Sequence, residues 1–351
     1  MCKWVAIITL VVIVLFSVSF TNENLRNIYS RPSSTWPKAF VDARVAFKEL
    51  GVLPASPIIT QMDSLKDVIE LGKALFFDTR LSGSGKISCA TCHQPELNWT
   101  DGKPKSVGHE GVTTQRNSPT IQNTWFYKKL FWDGRARDLP DQAFAPIRSE
   151  SEMNSEMPDV MRKLRSIKGY QQLFQKAFGD DDINPFRMTE AIATFEKTIS
   201  SRKSRFDEFL EGNKKILNNS EIRGLHLFRT KARCINCHNG PMFTDNSFHN
   251  SGFSGTDAGY YKVTHNDKDM GKFKTPSLRD VARTGPWMHD GQFKELKQII
   301  SRYSIAKFPP GQTDTLLRSL GLSSKEQKDL LAFLKAISSS PLEFIKPILP
   351  E

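Results

Sequence analysis

The sequence predicts a mostly α-helical fold of two related domains with long loops, and three observations predict it. Apolar residues recur at helical spacing at Met188, Ile192, Phe195 and Ile199, and again at Leu330, Leu331, Leu334 and Ile337. Alternating runs of the strand kind are scarce, while glycine, proline and asparagine punctuate the chain as loops. The third observation is an internal repeat, and 351 residues leave room for two separate cores. Ser323 followed three positions later by Glu326 is a capping box that starts the last helix.

The N-terminus stands apart from this pattern. Met1 to Phe20 carries Lys3 as its only charge, runs apolar from Trp4 to Phe16 and ends near the small residues Ser17 and Ser19, which reads as an export signal. The apolar run is also close to the roughly 20 residues of a spanning helix, so an uncleaved anchor stays open. Residues 21–60 then read as a tether and a first helix, with loop composition from Asn22 to Pro37. Either way the folded chain is expected outside the cytoplasm, in the periplasm. The formal charge of +11 is spread among acidic residues rather than clustered with aromatic ones. With export, that argues against nucleic acid and toward solubility or the steering of an acidic electron donor.

Leaving Cys2 aside, four cysteines remain, in Cys89-Ala90-Thr91-Cys92-His93 and Cys234-Ile235-Asn236-Cys237-His238. Two thiols three positions apart can each add to a haem vinyl group, and the adjoining histidine then ligates iron. A structural zinc site ordinarily brings its cysteine pairs closer in sequence, and a dithiol redox pair has no need of a histidine twice over. Two covalently bound c-type haems are therefore expected.

The repeat extends well beyond these motifs. Gly72-Lys73-Ala74-Leu75-Phe76 matches Gly224-Leu225-His226-Leu227-Phe228, and Trp99-Thr100-Asp101 matches Phe243-Thr244-Asp245. Ser118-Pro119-Thr120 and Thr275-Pro276-Ser277 precede Asp133-Gly134 and Asp290-Gly291 by the same interval, and Leu139 and Leu296 follow. The halves read as haem modules related by an approximate two-fold. Twelve residues beyond each of those glycines stand Pro146 and Tyr303. Proline offers no donor atom and tyrosine offers a phenolic oxygen that can bind ferric iron, so the first haem is expected to be open and the second closed.

At this point the chain resembles the bacterial di-haem cytochrome c peroxidases. The residues that carry the likeness are Leu81-Ser82-Gly83-Ser84-Gly85, Ser106-Val107-Gly108-His109, Arg116-Asn117-Ser118-Pro119-Thr120, Phe131-Trp132-Asp133-Gly134-Arg135, Ser151-Glu152-Met153, Ser204-Arg205-Phe206-Asp207 and Met288-His289-Asp290-Gly291. The resemblance implies two cytochrome c-like domains, a peroxidatic one over 61–203 and an electron-transfer one over 204–351 that includes the C-terminal tail. It implies His93 and His238 as proximal iron ligands and His109 as a distal ligand that leaves on activation. Glu152 and Gln142 would line the peroxide pocket, with Glu152 as acid/base, and Trp132 would lie between the haems. Asn117, Thr284 and Pro286 would help hold a calcium ion, and His289 would pack near the second haem. The implied reaction is reduction of hydrogen peroxide to water, with electrons from a small cytochrome c or copper protein; a homodimer is among the assemblies the resemblance allows.

One departure bears on function. The family usually places methionine as the sixth ligand of the electron-transfer haem, and here the aligned residue is Tyr303. Tyrosine is similar instead to the related di-haem enzymes that mature methylamine dehydrogenase, which makes an oxidase acting on a protein or organic substrate the alternative reading. His109 argues back toward the peroxidases. If Tyr303 only packs at the haem edge, Met288 and Met270 are the remaining candidates. No role falls to His226, His249 or His265.

Overall fold

The structure is a computed structural model that describes residues 22–351 apart from 310, 312 and 342. The segment read as an export signal or anchor, Met1 to Phe20, lies outside the described residues. Among the described residues no helix is long and apolar enough to cross a membrane.

The fold is mostly helical. In chain order the helices are α1 (Asn22–Tyr29), α2 (Lys66–Phe77), α3 (Cys89–Cys92), α4 (Leu139–Arg148), α5 (Met157–Ser166), α6 (Lys168–Phe178) and α7 (Pro185–Glu196). They continue with α8 (Arg205–Leu210), α9 (Asn219–Arg229), α10 (Tyr261–Thr264), α11 (Leu296–Ile305) and α12 (Ser324–Ala336). The apolar periodicity over Met188–Phe195 falls on α7, and Ser323 and Glu326 close their capping box at the start of α12. Sheet among the described residues is one two-stranded antiparallel ladder, β1 (Phe248–His249) on β2 (Phe273–Lys274).

Two apolar cores organise these elements. The first gathers Leu71, Leu75, Phe76, Leu164, Phe174 and Ile192; the second gathers Phe206, Phe209, Leu225, Phe228 and Phe333. Each is built on one close helix crossing, α2 on α7 and α9 on α12. A Cβ at Gly72 would lie 1.9 Å from the Ala191 carbonyl oxygen, and one at Gly224 would lie 2.0 Å from that of Asp329. Glycine inside a helix costs about 1 kcal/mol relative to alanine, and here backbone contact that no side chain would permit offsets it.

The repeat survives in backbone detail. Trp99 and Phe243 (φ 61° and 52°), Asn123 and Asp280 (both 59°), and Phe131 and Met288 (64° and 72°) occupy the left-handed region at equivalent positions. Helices α4 and α11 begin and end in register across the two halves. Where the halves meet, the Asn117 N–H donates to the His289 carbonyl at 2.8 Å and the Lys274 N–H donates to the Trp132 carbonyl at 2.9 Å. Asn117 aligns with Lys274 and Trp132 with His289, so the two bonds are one contact made twice by exchange, as a self-complementary two-fold interface requires.

The chain ends cross over. Leu25, Tyr29, Trp36 and Leu50, from the stretch read as tether and first helix, pack into the second core. Phe344, near the C-terminus, packs on the first core, stacked on Phe77 with centroids 5.5 Å apart and edge-on to Trp99 at 5.0 Å.

A buried ion pair joins several of these segments. The Arg279 guanidinium donates to Asp207 at 2.9 Å, both side chains being essentially inaccessible. Asp207 also accepts from the Leu53 N–H at 2.7 Å and the Ser204 hydroxyl at 2.6 Å, while Arg279 donates to the Pro241 and Gly51 carbonyls. Burial opposes the charge on Asp207, yet Arg279 and the Ser204 bonds outweigh it and hold the carboxyl below its ordinary range. Asp207→Asn leaves a buried guanidinium without its counter-charge, and chemical denaturation at neutral pH should show a loss of roughly 3 kcal/mol. Because the folded pKa is depressed, this stabilisation is present above the ordinary carboxylate pKa and disappears as pH falls through the folded value. The gap between wild type and variant should therefore close in acid; a gap that is absent at neutral pH, or constant down to acid, refutes the assignment.

Candidate functional site

The two Cys-x-x-Cys-His segments face one continuous cavity of about 720 Å³ that runs between the domains and is bordered by Cys89, Cys92, His93, Cys234, Cys237 and His238. In the first motif a capping box holds α3, with the Ser88 N–H donating to the Thr91 hydroxyl at 3.0 Å. None of the four cysteines is paired in a disulfide. Burial raises the thiols of Cys89, Cys92 and Cys234, so they stand as neutral thiols.

Both histidines are fixed in the same way. Nδ1 of His93 lies 3.1 Å from the Trp99 carbonyl oxygen, and Nδ1 of His238 lies 3.0 Å from that of Phe243. A ring nitrogen facing a carbonyl must be its donor, which leaves the Nε2 lone pair free to bind metal. Burial lowers both pKa values and keeps the rings neutral.

The lining suits two haems. Paired thiols, a histidine with a free nitrogen and a largely apolar wall meet at each end, and Arg233 supplies what a propionate needs. Its Nε and Nη2 are buried beside the cavity without hydrogen-bond partners, the Asp42 carboxylate standing 3.9 Å from Nη2, so the guanidinium keeps donors that a propionate can take up. Held at these positions, the macrocycles would be linked through Cys89 and Cys92, and through Cys234 and Cys237.

Around the first motif, Gln142 and Pro146 of α4, Glu152 and Trp132 line the cavity. Burial raises the Glu152 carboxyl above its usual range, with Arg135 and Ser149 pulling the other way. The Trp132 indole N–H donates to the Asn117 carbonyl at 2.9 Å, beside the exchanged bonds of the interface. Asn117, Thr284 and Pro286 all border the same cavity, and the Asn117 amide donates to the Lys103 carbonyl at 2.9 Å. His109 lies outside the lining. Its N–H donates to the Glu152 carbonyl at 2.9 Å, its Nδ1 is buried without a hydrogen-bond partner and its Nε2 is 3.7 Å from Glu110, so this loop packs on the backbone of Glu152.

Around the second motif the lining includes Tyr303 of α11, at the helical position that Pro146 occupies in α4. Phe253 packs edge-on to its ring at 5.2 Å and Phe308 stacks on it at 6.0 Å, while burial raises the phenol. Met288 also lines the cavity; Met270 is about half exposed and does not. His289 stacks on Phe273 at 3.8 Å. Cys237, Asp245 and His249 form a cluster of metal-binding residue types. His249, however, is held on one side by Asp314 (2.6 Å) and on the other by Asp245 (2.8 Å), which makes it an imidazolium with both nitrogens donating rather than a ligand.

Sequence reasoning missed Arg233, Lys274 and Glu196, all of which line the cavity. Lys274 rests 3.5 Å over the Tyr127 ring, and burial lowers its ammonium to about 7. Arg233 immediately precedes an attachment cysteine, and that adjacency was its signal.

Comparison with known proteins agrees with this arrangement. A family model described as di-haem cytochrome c peroxidase matches residues 66–215. The methylamine utilization protein MauG of Methylophilus methylotrophus is 37% identical over 323 residues, 91% of this chain and 95% of its own. Cytochrome c551 peroxidase of Nitrosomonas europaea is 36% identical over 314 residues, 87% of this chain and 91% of its own. The crystal structure of a MauG-like protein associated with microbial copper homeostasis superposes with a TM-score of 0.71 at 29% identity, covering 86% of this chain and 96% of that one.

Thioether links are covalent, so both haems should stay with the holoprotein through extraction with acid and organic solvent, read by pyridine haemochrome absorbance. Cys234 and Cys237 replaced together by alanine should leave one of the two. Free extraction of both from the wild type would contradict the reading of the motifs.

Proposed function

The chain belongs to the di-haem cytochrome c peroxidase family, and on that premise we propose that it reduces hydrogen peroxide to water outside the cytoplasm with electrons from a small redox protein. The observation that carries the proposal is the asymmetry at one repeated position. Pro146, which lines the cavity with Glu152 and Gln142, offers no side-chain donor atom in the first domain, and Tyr303 brings a phenol to the equivalent position in the second.

His93 and His238 would hold the irons through Nε2, with Tyr303 as the sixth ligand of the second. When bound, the haems supply one iron at which the oxygen–oxygen bond of peroxide is cleaved and a second that passes electrons to it. Glu152 accepts a proton from one peroxide oxygen and returns it to the oxygen that departs as water. Its burial suits both halves of that task, since a carboxyl raised toward neutrality gives back what it has taken. Gln142 orients the peroxide, and Trp132 stands on the route between the two motifs. The balance is one peroxide, two electrons and two protons to two waters, with the donor, a cytochrome c or a copper protein, delivering its electrons singly. His109 would close the first site in the resting enzyme by swinging past Glu152, and Asn117, Thr284 and Pro286 would bind calcium through oxygen atoms of the kind that cation prefers.

A second reading rests on Tyr303. A phenolate favours ferric iron and lowers its potential, and MauG, at 37% identity, carries the name of methylamine utilization. On that reading the chain oxidises a protein or organic substrate. Sustained peroxide consumption with reduced cytochrome c as sole donor supports the first reading; its absence, with peroxide still oxidising the protein, supports the second.

Glu152→Gln should lower peroxide turnover by about two to four powers of ten with haem content unchanged. Near-normal turnover would return Glu152 to the role of a buried bystander. Tyr303→Met should raise the potential of the second haem and Tyr303→Phe should leave its iron vacant or water-bound, both read by electron paramagnetic resonance and redox titration. Spectra and potentials unchanged in both variants would remove Tyr303 from the ligand set.

A further inference from the structure

The cavity holds a carboxyl that the proposed reaction leaves unused. Glu196 is the last residue of α7, only 4% exposed, and it lines the cavity with Oε2 lacking any hydrogen-bond partner. It stands close enough to Cys89 for its charge to raise that thiol, after burial itself. Its place at the end of a helix sets it against the negative pole of the peptide dipoles, which also disfavours ionisation.

The repeat shows that the fold does not require an acid here. The crossing of Gly72 on Ala191 aligns with that of Gly224 on Asp329, and Phe195 aligns with Phe333 four residues beyond. One position further, Glu196 aligns with Leu334, which lines the second end of the same cavity. Leucine suffices in one half, and the other half has a buried carboxyl oxygen without a partner, which costs free energy. Such a cost at a cavity wall points to chemistry rather than packing.

We propose that Glu196 is a redox-linked proton site of the first domain, binding one proton when the iron carried by His93 gains one electron. This rests on the first motif holding haem, as proposed above. Ferric iron in a porphyrin carries one net positive charge, which favours the carboxylate nearby; the added electron cancels that charge, and in a poorly solvated cavity the carboxylate then takes a proton. The balance is one electron from an external one-electron donor, one proton from solvent, and Glu196 passing from carboxylate to carboxylic acid. Burial, the one cause acting on Glu196, pushes its carboxyl up to about 8 and puts this exchange within reach of ordinary pH. The titratable side chains of the helices packed on α7, namely Lys66, Asp67, Glu70 and Lys73 of α2 and Asp141 and Arg148 of α4, add nothing to that shift. Cys89, the neighbour it does affect, would be a neutral thioether in the holoprotein.

The test is spectroelectrochemical titration of holoprotein from acid to alkaline pH, with dithionite as reductant, for wild type, Glu196→Gln and Glu196→Leu. In wild type the potential of the first haem should fall by about 59 mV for each tenfold drop in proton concentration across one window of pH. Both variants should lose that slope while the second haem behaves alike in all three. A flat wild-type profile, or a slope that persists in both variants, overturns the proposal. Should the variants fail to load haem, reduced-minus-oxidised infrared spectra of wild type decide: a protonated carboxyl band that grows on reduction and shifts in heavy water supports it, and no such band overturns it. The titration needs haem but no peroxide, so normal turnover in Glu152→Gln would sink the proposed reaction and leave this result readable.

Discussion

The histidine of each Cys-x-x-Cys-His motif is held through one ring nitrogen by a carbonyl a few residues downstream, and the proposed site depends on that bond. His93 leans on Trp99 and His238 on Phe243, and the two carbonyl-bearing residues share a left-handed backbone. Turning either carbonyl away would free the ring to rotate and to change tautomer, and a ligand that can do both holds metal poorly. The adjacent thiols could then still react, but the iron would lack a fixed axis. Everything built around the cavity assumes that axis.

On this common plan the two halves differ in a few side chains. Proline faces tyrosine at positions 146 and 303, glutamate faces leucine at 196 and 334, and tryptophan faces histidine at 132 and 289. The frame repeats in the exchanged bonds of Asn117 and Lys274, in the matching bounds of α4 and α11 and in the glycine crossings at Gly72 and Gly224. The side chains differ while the frame is shared. Substitution at such a position alters what meets the cavity, whereas substitution at Gly72, Gly224 or Asp207 alters whether there is a cavity.

The mostly helical fold, the attachment motifs and the repeat through Asp133-Gly134 and Asp290-Gly291 were legible in the sequence because each is local or evenly spaced. Glu196 was hidden because the halves differ in the length of chain between their motifs and their last helix, so the repeat cannot be followed to α7 without seeing which helix crosses which glycine. It also follows Phe195 in an apolar helical pattern, where one acid reads as the solvent face. The position of His109 depends on how a glycine-flanked loop packs on the backbone of Glu152, a tertiary fact with no sequence period. The destination of the segment read as a tether was equally out of reach, since Leu25, Tyr29 and Trp36 find their partners about two hundred residues away.

The crossing of the chain ends has a consequence in time. A ribosome delivers the N-terminal segment first, yet its partners in the second core come last; the first core is finished only when Phe344 arrives. Phe344 packs on Trp99, the residue whose carbonyl holds His93. Neither core is therefore complete without residues from a distant part of the chain, and contacts so distant in sequence form slowly. Until Phe344 docks on Trp99, the core against which Cys89 packs lacks one of its aromatic rings, so the first domain is closed by a contact that spans most of the chain.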